Sequence, residues 1–563
     1  MKLLRTLLVS LGFLIGLGPA VAEEPAPRPR LGVIIVFDQM RGDYLQRWEK
    51  CFGTGGFRRL QQDGAWFTNC HYPYSCNETS PGHATIATGC TPASHGIVGN
   101  WWWDVKTDEP VGGVTNPRYD RIPVGGPRKP NAEPMGGSPD RLLQPTLADA
   151  LKAATNNRAK VVSLSLKDRG AVLLGGQKPD AAYWLDQTTG EFVTSDYYRG
   201  RLHPWVDAYN RTKPADQWLG KTWDRLRPDL DYVKEAGPDD VEGEAGGYWQ
   251  GRVFPHPMEG GPQKLRSDYL KALLNSPFGN DLLLGLVDAA IDAEGLGTHD
   301  VTDLLCVSFS SNDFVGHSWG PDSQEVMDVT LRSDVIVKKL LAHLDAKVGR
   351  GKYVVTVCAD HGVCPLPQLM QAQKKEAGVV FPDILKEKAE EALDAAFGPN
   401  PDEAKWVLMP AEPWVYLNPK VISDRKLKQE AVEEALAQWL KKQSGIQTVY
   451  TRTQLLKGIP DDDAIGQKVR QSFHPDRSGD VVVVVKPYFL LTQGLAGTKH
   501  GTPHPYDTRV PLLLYGPGIR AGTHKEAATP LMLAPAMARA LGIKPPEGAK
   551  ATLPDGLITV PAP

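Results

Sequence analysis

The sequence predicts an α/β fold: a mainly parallel central sheet flanked by helices, with insertions over the active-site face. Three observations carry this. LGVIIVFD (31–38), AKVVSLSL (159–166), TDLLCVSFS (302–310) and KYVVTVC (352–358) are short, unbroken apolar runs rich in β-branched residues, the pattern of strands buried on both faces. SQEVMDVTLRSDVIVKKLLAHLDAKVG (323–349) carries apolar residues at helical spacing between two of them, and strand, long helix, strand is a βαβ unit. Finally, 563 residues that are 41% hydrophobic and 23% charged make a large globular core.

The remaining elements follow in order. A helical pattern runs from Tyr44 to Leu60 after the first strand, and TLADALKAA leads into the second. DVVVVV (480–485) and RVPLLLYG (509–516) predict two more strands, and TPLMLAPAMARALGI a final helix. Residues 170–300, rich in Trp, Tyr, Pro, Gly and Asp, break this rhythm. So do residues 366–480, where ILKEKAEEALDAAF and KLKQEAVEEALAQWLKK sit between short strands. Both read as insertions on the ligand-binding side of one domain (31–545), followed by a tail (546–563). No repeat of fixed period is present.

The N-terminus MKLLRTLLVSLGFLIGLGPAVAEE has Lys2 and Arg5, an apolar run, then Ala20-Val21-Ala22. This reads as a secretory signal over residues 1–22; Gly and Pro interrupt the run, which is short for a membrane span. The expectation is an exported protein, periplasmic or secreted, with a disordered Pro-rich lead (23–30) and no membrane span after cleavage. Export puts the seven cysteines in an oxidising compartment. Their odd number leaves at least one unpaired, while Cys70/Cys76 and Cys358/Cys364 are close enough in sequence to bridge. The formal charge of −3 provides no global field for nucleic acid or anionic membrane, so an anionic substrate must be attracted locally. No oligomeric state is read from the sequence.

Ligands in open α/β sheets bind beyond the carboxyl ends of the strands. The first strand ends in Asp38. The third is followed by NDFVGH, with Asp313 and His317, and the fourth by Asp360-His361-Gly362. GTKHGTPHPYD, with His500 and His504, precedes RVPLLLYG. These oxygen and nitrogen donors suit zinc. Asp313 and His317, four apart, share one face of a helical turn, and Gly362 supplies a turn for the adjacent Asp360 and His361. A single Asp–His pair is ordinarily a surface hydrogen bond. Four elements ending in ligand types describe a site.

CNETSPGHATIATG (76–89) adds Thr79, Ser80 and His83 at the mouth of a helix. Read alone it is a capped helix start, with Pro81 in the first turn. In SLKDRG, a strand continued through Lys167 and Arg169 would put both cations on one face, where they could bind phosphoryl oxygens. Asn100 could donate a further hydrogen bond, and Trp101, Trp102 and Trp103 are expected to pack under the inserted region.

VFDQMRGDYL, NETSPGHATIATG, HGIVGNWWWD, SLKDRGAV, SSNDFVGHSWGP, ADHGV and TKHGTPHPYDTRVPLLLYG, in this order over residues 33–516, together resemble the alkaline phosphatase superfamily. That superfamily includes phosphomonoesterases, nucleotide pyrophosphatases/phosphodiesterases and sulfatases. The segments are most similar to bacterial alkaline phosphatases with a threonine nucleophile. The resemblance implies two zinc ions, one held by Asp313, His317 and His500, the other by Asp38, Asp360, His361 and Thr79 Oγ. His504 is a rival for His500, and His83 is structural. It implies hydrolysis of small phosphate monoesters through a phosphothreonine, with Asn100, Lys167 and Arg169 binding the phosphoryl group. Two alternatives are a phosphodiesterase or nucleotide pyrophosphatase sharing these ligands, and a non-catalytic exported zinc or phosphate binder. A sulfatase is disfavoured, because His83 stands where its C/S-x-P-x-R context needs Arg.

Overall fold

The computed structural model describes residues 28–123, 136–409 and 412–560; the leader read at 1–22 lies outside them. Its centre is a ten-stranded sheet in the order Gly522–His524, Ala65–Phe67, Leu512–Tyr515, Tyr353–Cys358, Leu31–Phe37, Asp303–Phe309, Val161–Ser165, Ala181–Leu185, Phe192–Ser195, Arg121–Ile122. From Tyr353–Cys358 to Ala181–Leu185 every neighbouring pair is parallel. Leu31–Phe37 is one of the two central strands, with Leu31 opposite both Asp303 and Tyr353, and all seven of its residues are buried. The predicted α/β class is therefore the observed one. Gln324–Leu344 is the long crossover helix between Asp303–Phe309 and Tyr353–Cys358.

Several expectations change in detail. The helical pattern after the first strand is broken into Tyr44–Arg47, a 3-10 turn Glu49–Cys51 and Phe57–Asp63. Asp334 ends it by accepting hydrogen bonds from the Gly53 and Phe57 backbone N–H groups at 2.9 and 2.7 Å. Residues 170–300 are not wholly outside the sheet, since Ala181–Leu185 and Phe192–Ser195 extend it. Val481–Val485 does not join it. That strand lies in a separate four-stranded antiparallel sheet with Val407–Met409, Trp414–Leu417 and Ile446–Thr451. Val481, Val483 and Val485 face one hydrophobic cluster, Val482 and Val484 another. A run of valines buried on both faces reads the same whichever sheet receives it.

Where the described residues begin, Arg30 donates its N–H to Lys352 O at 2.7 Å and Thr302 Oγ1 donates to Pro29 O, so residues 29–30 are tied to the sheet. In the tail, Leu557 and Ile558 are buried and Ile558 bridges Ile519. All seven cysteines are buried free thiols, so neither candidate bridge forms.

Candidate active site

The predicted ligands converge at the carboxyl ends of the central strands. Asp38 follows Leu31–Phe37 directly. Asp313 and His317 lie one turn apart on the helix Ser311–Trp319, with His317 Nε2 3.2 Å from Asp313 Oδ1. Asp360 and His361 follow Tyr353–Cys358. His500 arrives on the loop before the helix Pro505–Thr508, its Nε2 3.7 Å from Asp313 Oδ1. Gly362 does not serve as the expected turn. A Cβ there would come within 2.1 Å of Tyr506 O, so glycine is required for close backbone approach.

Each of the three histidines has its tautomer set by a backbone carbonyl: His317 Nδ1 bonds Thr498 O at 2.7 Å, His361 Nδ1 bonds Gly362 O at 2.9 Å and His500 Nδ1 bonds Asn77 O at 2.8 Å. An Nδ1–H donor leaves the Nε2 lone pair free, which is how a metal-ligating histidine is held. His504 is different. Its Nε2 bonds Val485 O at 2.9 Å, so it turns away and His500 is the imidazole in the cluster. His83 engages both nitrogens, with Thr79 O and Ser308 Oγ, each at 2.8 Å.

Two groups of ligand atoms are compact enough to hold a metal ion: Asp313, His317, His500 and Asp38, Asp313, His361. Asp360 joins the second from the side, with Oδ2 3.5 Å from His361 Nε2 and Oδ1 satisfied by the Gln39 and His361 N–H groups. Asp38 Oδ1 and His361 Nε2 are buried and receive no hydrogen bond, while Asp360 Oδ2 faces His83 Nδ1 at 3.2 Å. Nε2 of His361 is 3.6 Å from that Asp38 oxygen. Ligands about 2.0–2.1 Å from a tetrahedral zinc lie roughly 3.3 Å apart, so spacing and donor type fit the ion. The protonation states of His500, His361 and Asp313 fit too, while burial and the neighbouring Asp360 push the Asp38 carboxyl well above its usual range. Burial, then neighbouring His361 and His317, depress the His500 imidazole well below its usual value, and burial depresses His361. Burial would raise Asp313, but His317 and Lys167 hold it well below the usual carboxylate range. Neutral imidazole and ionised carboxylate are the ligand forms.

Thr79 is the first residue of the helix Thr79–Thr88 and is 1% exposed. It does not cap the helix. The cap position is Glu78, and no side-chain cap bond forms. Thr79 instead lines a cavity of about 530 Å³ together with Asn100, Arg169, Asp313, His317 and His500. Ser80 does not line this cavity and packs beside Gly113. Its backbone N–H is held by Asn100 Oδ1 at 2.9 Å. Gly82 lets the helix lie against the metal-side loop, since a Cβ there would stand 2.3 Å from Asp360 O.

Residues 32–507 match the type I phosphodiesterase / nucleotide pyrophosphatase family. The chain belongs to this family. It is 36% identical over 548 residues to "Alkaline phosphatase PafA" of Elizabethkingia meningoseptica, covering 96% of each chain. It is 33% identical to "Calcium-transporting ATPase" of Myroides odoratus, covering 94% of each, and 32% identical to "Alkaline phosphatase PhoV" of Synechococcus elongatus, covering 94% of this chain and 93% of that one. The crystal structure of PafA superposes with a TM-score of 0.86 at 34% identity, covering 95% of this chain and all of that one. The family places the chain within the alkaline phosphatase superfamily, and no helix among the described residues is long and apolar enough to cross a membrane.

For a member of this family, the expected strand alternation of Lys167 and Arg169 does not hold. The strand ends at Ser165, Lys167 stands at the N-cap position of the helix Asp168–Gly175 without a side-chain cap bond, and Arg169 is the second residue of that helix. The Lys167 ammonium lies between two ligand carboxylates, 2.7 Å from Asp38 Oδ2 and 2.6 Å from Asp313 Oδ2, while Arg169 faces the cavity. Of the three tryptophans, Trp102 is buried but Trp101 is 52% exposed and lines the cavity. Gln39 is a site residue that the sequence reading passed over. It takes a left-handed φ of 67°. Its N–H donates to Asp360 Oδ1 at 3.0 Å and its Nε2 to Asp313 Oδ1 at 2.7 Å. The only signal for it was its place after Asp38 and the glycine of NDFVGH, because a Cβ at Gly316 would sit 1.9 Å from Gln39 Oε1.

Proposed function

We propose that the chain is a zinc-dependent phosphate-monoester hydrolase with Thr79 as its nucleophile. The observation that carries this is the position of Thr79: uncapped at a helix N-terminus, and opening on a cavity that is also lined by Asp313, His317, His500 and Arg169. Asp313, His317 and His500 would hold one zinc, and Asp38, Asp360 and His361, with Thr79 Oγ, the other. When bound, such a pair stabilises attacking and leaving oxygens of an in-line displacement and lowers the pKa of a hydroxyl ligand.

Thr79 gives up its hydroxyl proton to solvent water and its Oγ attacks phosphorus; the Oγ–P bond forms as the ester P–O bond breaks. The leaving alkoxide departs with the bonding electron pair and takes a proton from water, becoming the alcohol. A water molecule then cleaves the phosphothreonine, giving inorganic phosphate and restoring Thr79. The helix N-terminus favours the anion gathered there, and Arg169 and Asn100 hold the non-bridging oxygens. Lys167 balances Asp38 and Asp313 and adds positive charge beside the phosphoryl group. Three aspartates and a threonine alkoxide offset two zinc ions, and Lys167 with Arg169 leave two positive charges for a monoester dianion.

The family also includes diesterases, which share these ligands, and two of the relatives are named alkaline phosphatases. The cation pair favours the monoester, because a diester carries less charge. The leader at residues 1–22 makes the enzyme exported, periplasmic or secreted. The deciding experiment compares kcat/KM for a phosphate monoester and a diester on protein of measured metal content. Lys167→Ala with Arg169→Ala is expected to cut the monoester value at least tenfold more than the diester value. Equal losses would point to the diesterase.

A further inference from the structure

The cavity is much larger than a phosphoryl group requires. Its volume of about 530 Å³ lies in the range of sites that enclose an organic ligand, roughly 300–1,000 Å³. Its lining combines Thr79, Asn100, Arg169, His317 and His500 with an apolar wall of Trp101, Met409, Pro413, Phe489 and Leu491, and with the charged Glu78, Glu412 and Lys499. That wall is assembled from separate pieces: the hairpin strand Trp101–Asp104, the edge strand Val407–Met409, and the strand Phe489–Leu491 paired with Gly378–Val380. Trp101 is 52% exposed beside a neighbour, Trp102, that is 2% exposed. Strand alternation explains which ring turns outward, but the fold itself gains nothing from leaving a large aromatic ring in water at the mouth of a catalytic cavity. In-line attack by Thr79 would place the departing oxygen opposite the attacking Oγ.

Building on the monoesterase reading, we propose that the apolar wall is a leaving-group subsite selecting phosphate monoesters of flat aromatic alcohols over those of small aliphatic alcohols. The ring of the leaving group lies against Trp101 and Leu491, and aromatic contact and apolar burial supply the preference.

The test uses Trp101→Ala and Leu491→Ala in the metal-loaded protein, with phenyl and methyl phosphate as substrates. The intrinsic reactivity of the two esters cancels when the phenyl-to-methyl ratio of kcat/KM is compared between variant and wild type. Each substitution is expected to lower that ratio about tenfold, the scale on which apolar pockets discriminate. Calorimetric titration with phenylphosphonate and methylphosphonate, which cannot be hydrolysed at an ester, reads the same subsite without turnover. Wild type should bind the phenyl compound more tightly with a negative heat-capacity change, and both variants should lose that advantage. Unchanged kinetic and binding ratios in both variants would overturn the subsite. A binding preference present in wild type and lost in both variants, with neither ester hydrolysed by wild type, would keep the subsite and overturn the monoesterase.

Discussion

Thr79 and Ser80 are adjacent hydroxyls at one helix start, yet only Thr79 reaches the cavity. Thr79→Ala is expected to retain its bound metal and lose most turnover, by about 10³-fold or more, because it removes the attacking atom while sparing the Asp and His ligands. Thr79→Ser should recover a large part of the rate. Elemental analysis and steady-state kinetics on the same preparations check both, and acid quenching with substrate should leave phosphate on the peptide containing Thr79. Wild-type turnover in Thr79→Ala, or label on Ser80, would reassign the nucleophile. The residue types of the site were legible in the sequence because metal ligation restricts the choice to a few side chains at strand ends. Gln39 was not, since nothing about a glutamine after an aspartate announces a positive φ and two hydrogen bonds to distant carboxylates.

The helix Thr79–Thr88 is fully buried and pressed against the Asp360 loop, while Ser311–Trp319 approaches Gln39. Two glycines mark these contacts, and they predict opposite outcomes. In Gly82→Ala the new Cβ meets the Asp360 carbonyl oxygen at 2.3 Å and the Asp360 Cβ at 2.6 Å, so helix or loop must move. Overpacking of this kind costs about 1–3 kcal/mol or more, and displacing Thr79 relative to the ligands by 1 Å costs on the order of 10²-fold in rate. In Gly316→Ala the Cβ meets only Gln39 Oε1, the end of a flexible side chain that can swing aside. The melting temperature should fall clearly in the first and little in the second, whose metal affinity weakens as Asp313 loses a donor. A larger thermal loss in Gly316→Ala would contradict this reading. The sequence located both elements, because helical spacing and strand runs are local properties. It could not show that Lys167 precedes a helix instead of extending a strand, or that Val481–Val485 leaves the central sheet. Those outcomes depend on partners outside the local segment, Asp38 and Asp313 for Lys167 and the strands Trp414–Leu417 and Ile446–Thr451 for Val481–Val485.

Over the whole molecule, stability against pH follows from buried carboxyls as well as the site. Asp507 is fully buried beside the loop of Gly362, and burial pushes its pKa up to about 7. Its Oδ2 accepts from the Thr502 N–H at 2.9 Å and the Thr502 hydroxyl at 2.6 Å, while Oδ1 has no hydrogen bond. Between the ordinary carboxyl pKa of about 3.9 and about 7, the folded protein holds a proton here that the unfolded chain has lost. Stability from this group is therefore complete below the lower value, falls as pH rises through the window, and stays low above it. Asp507→Asn fixes the neutral form and keeps an oxygen for Thr502. The variant should melt above wild type at pH 9, and the advantage should shrink or vanish at pH 5. Differential scanning calorimetry at the two pH values decides it. A deficit at pH 9 would mean that the ionised carboxylate, helped by the charge of Arg41, is the form that the fold prefers.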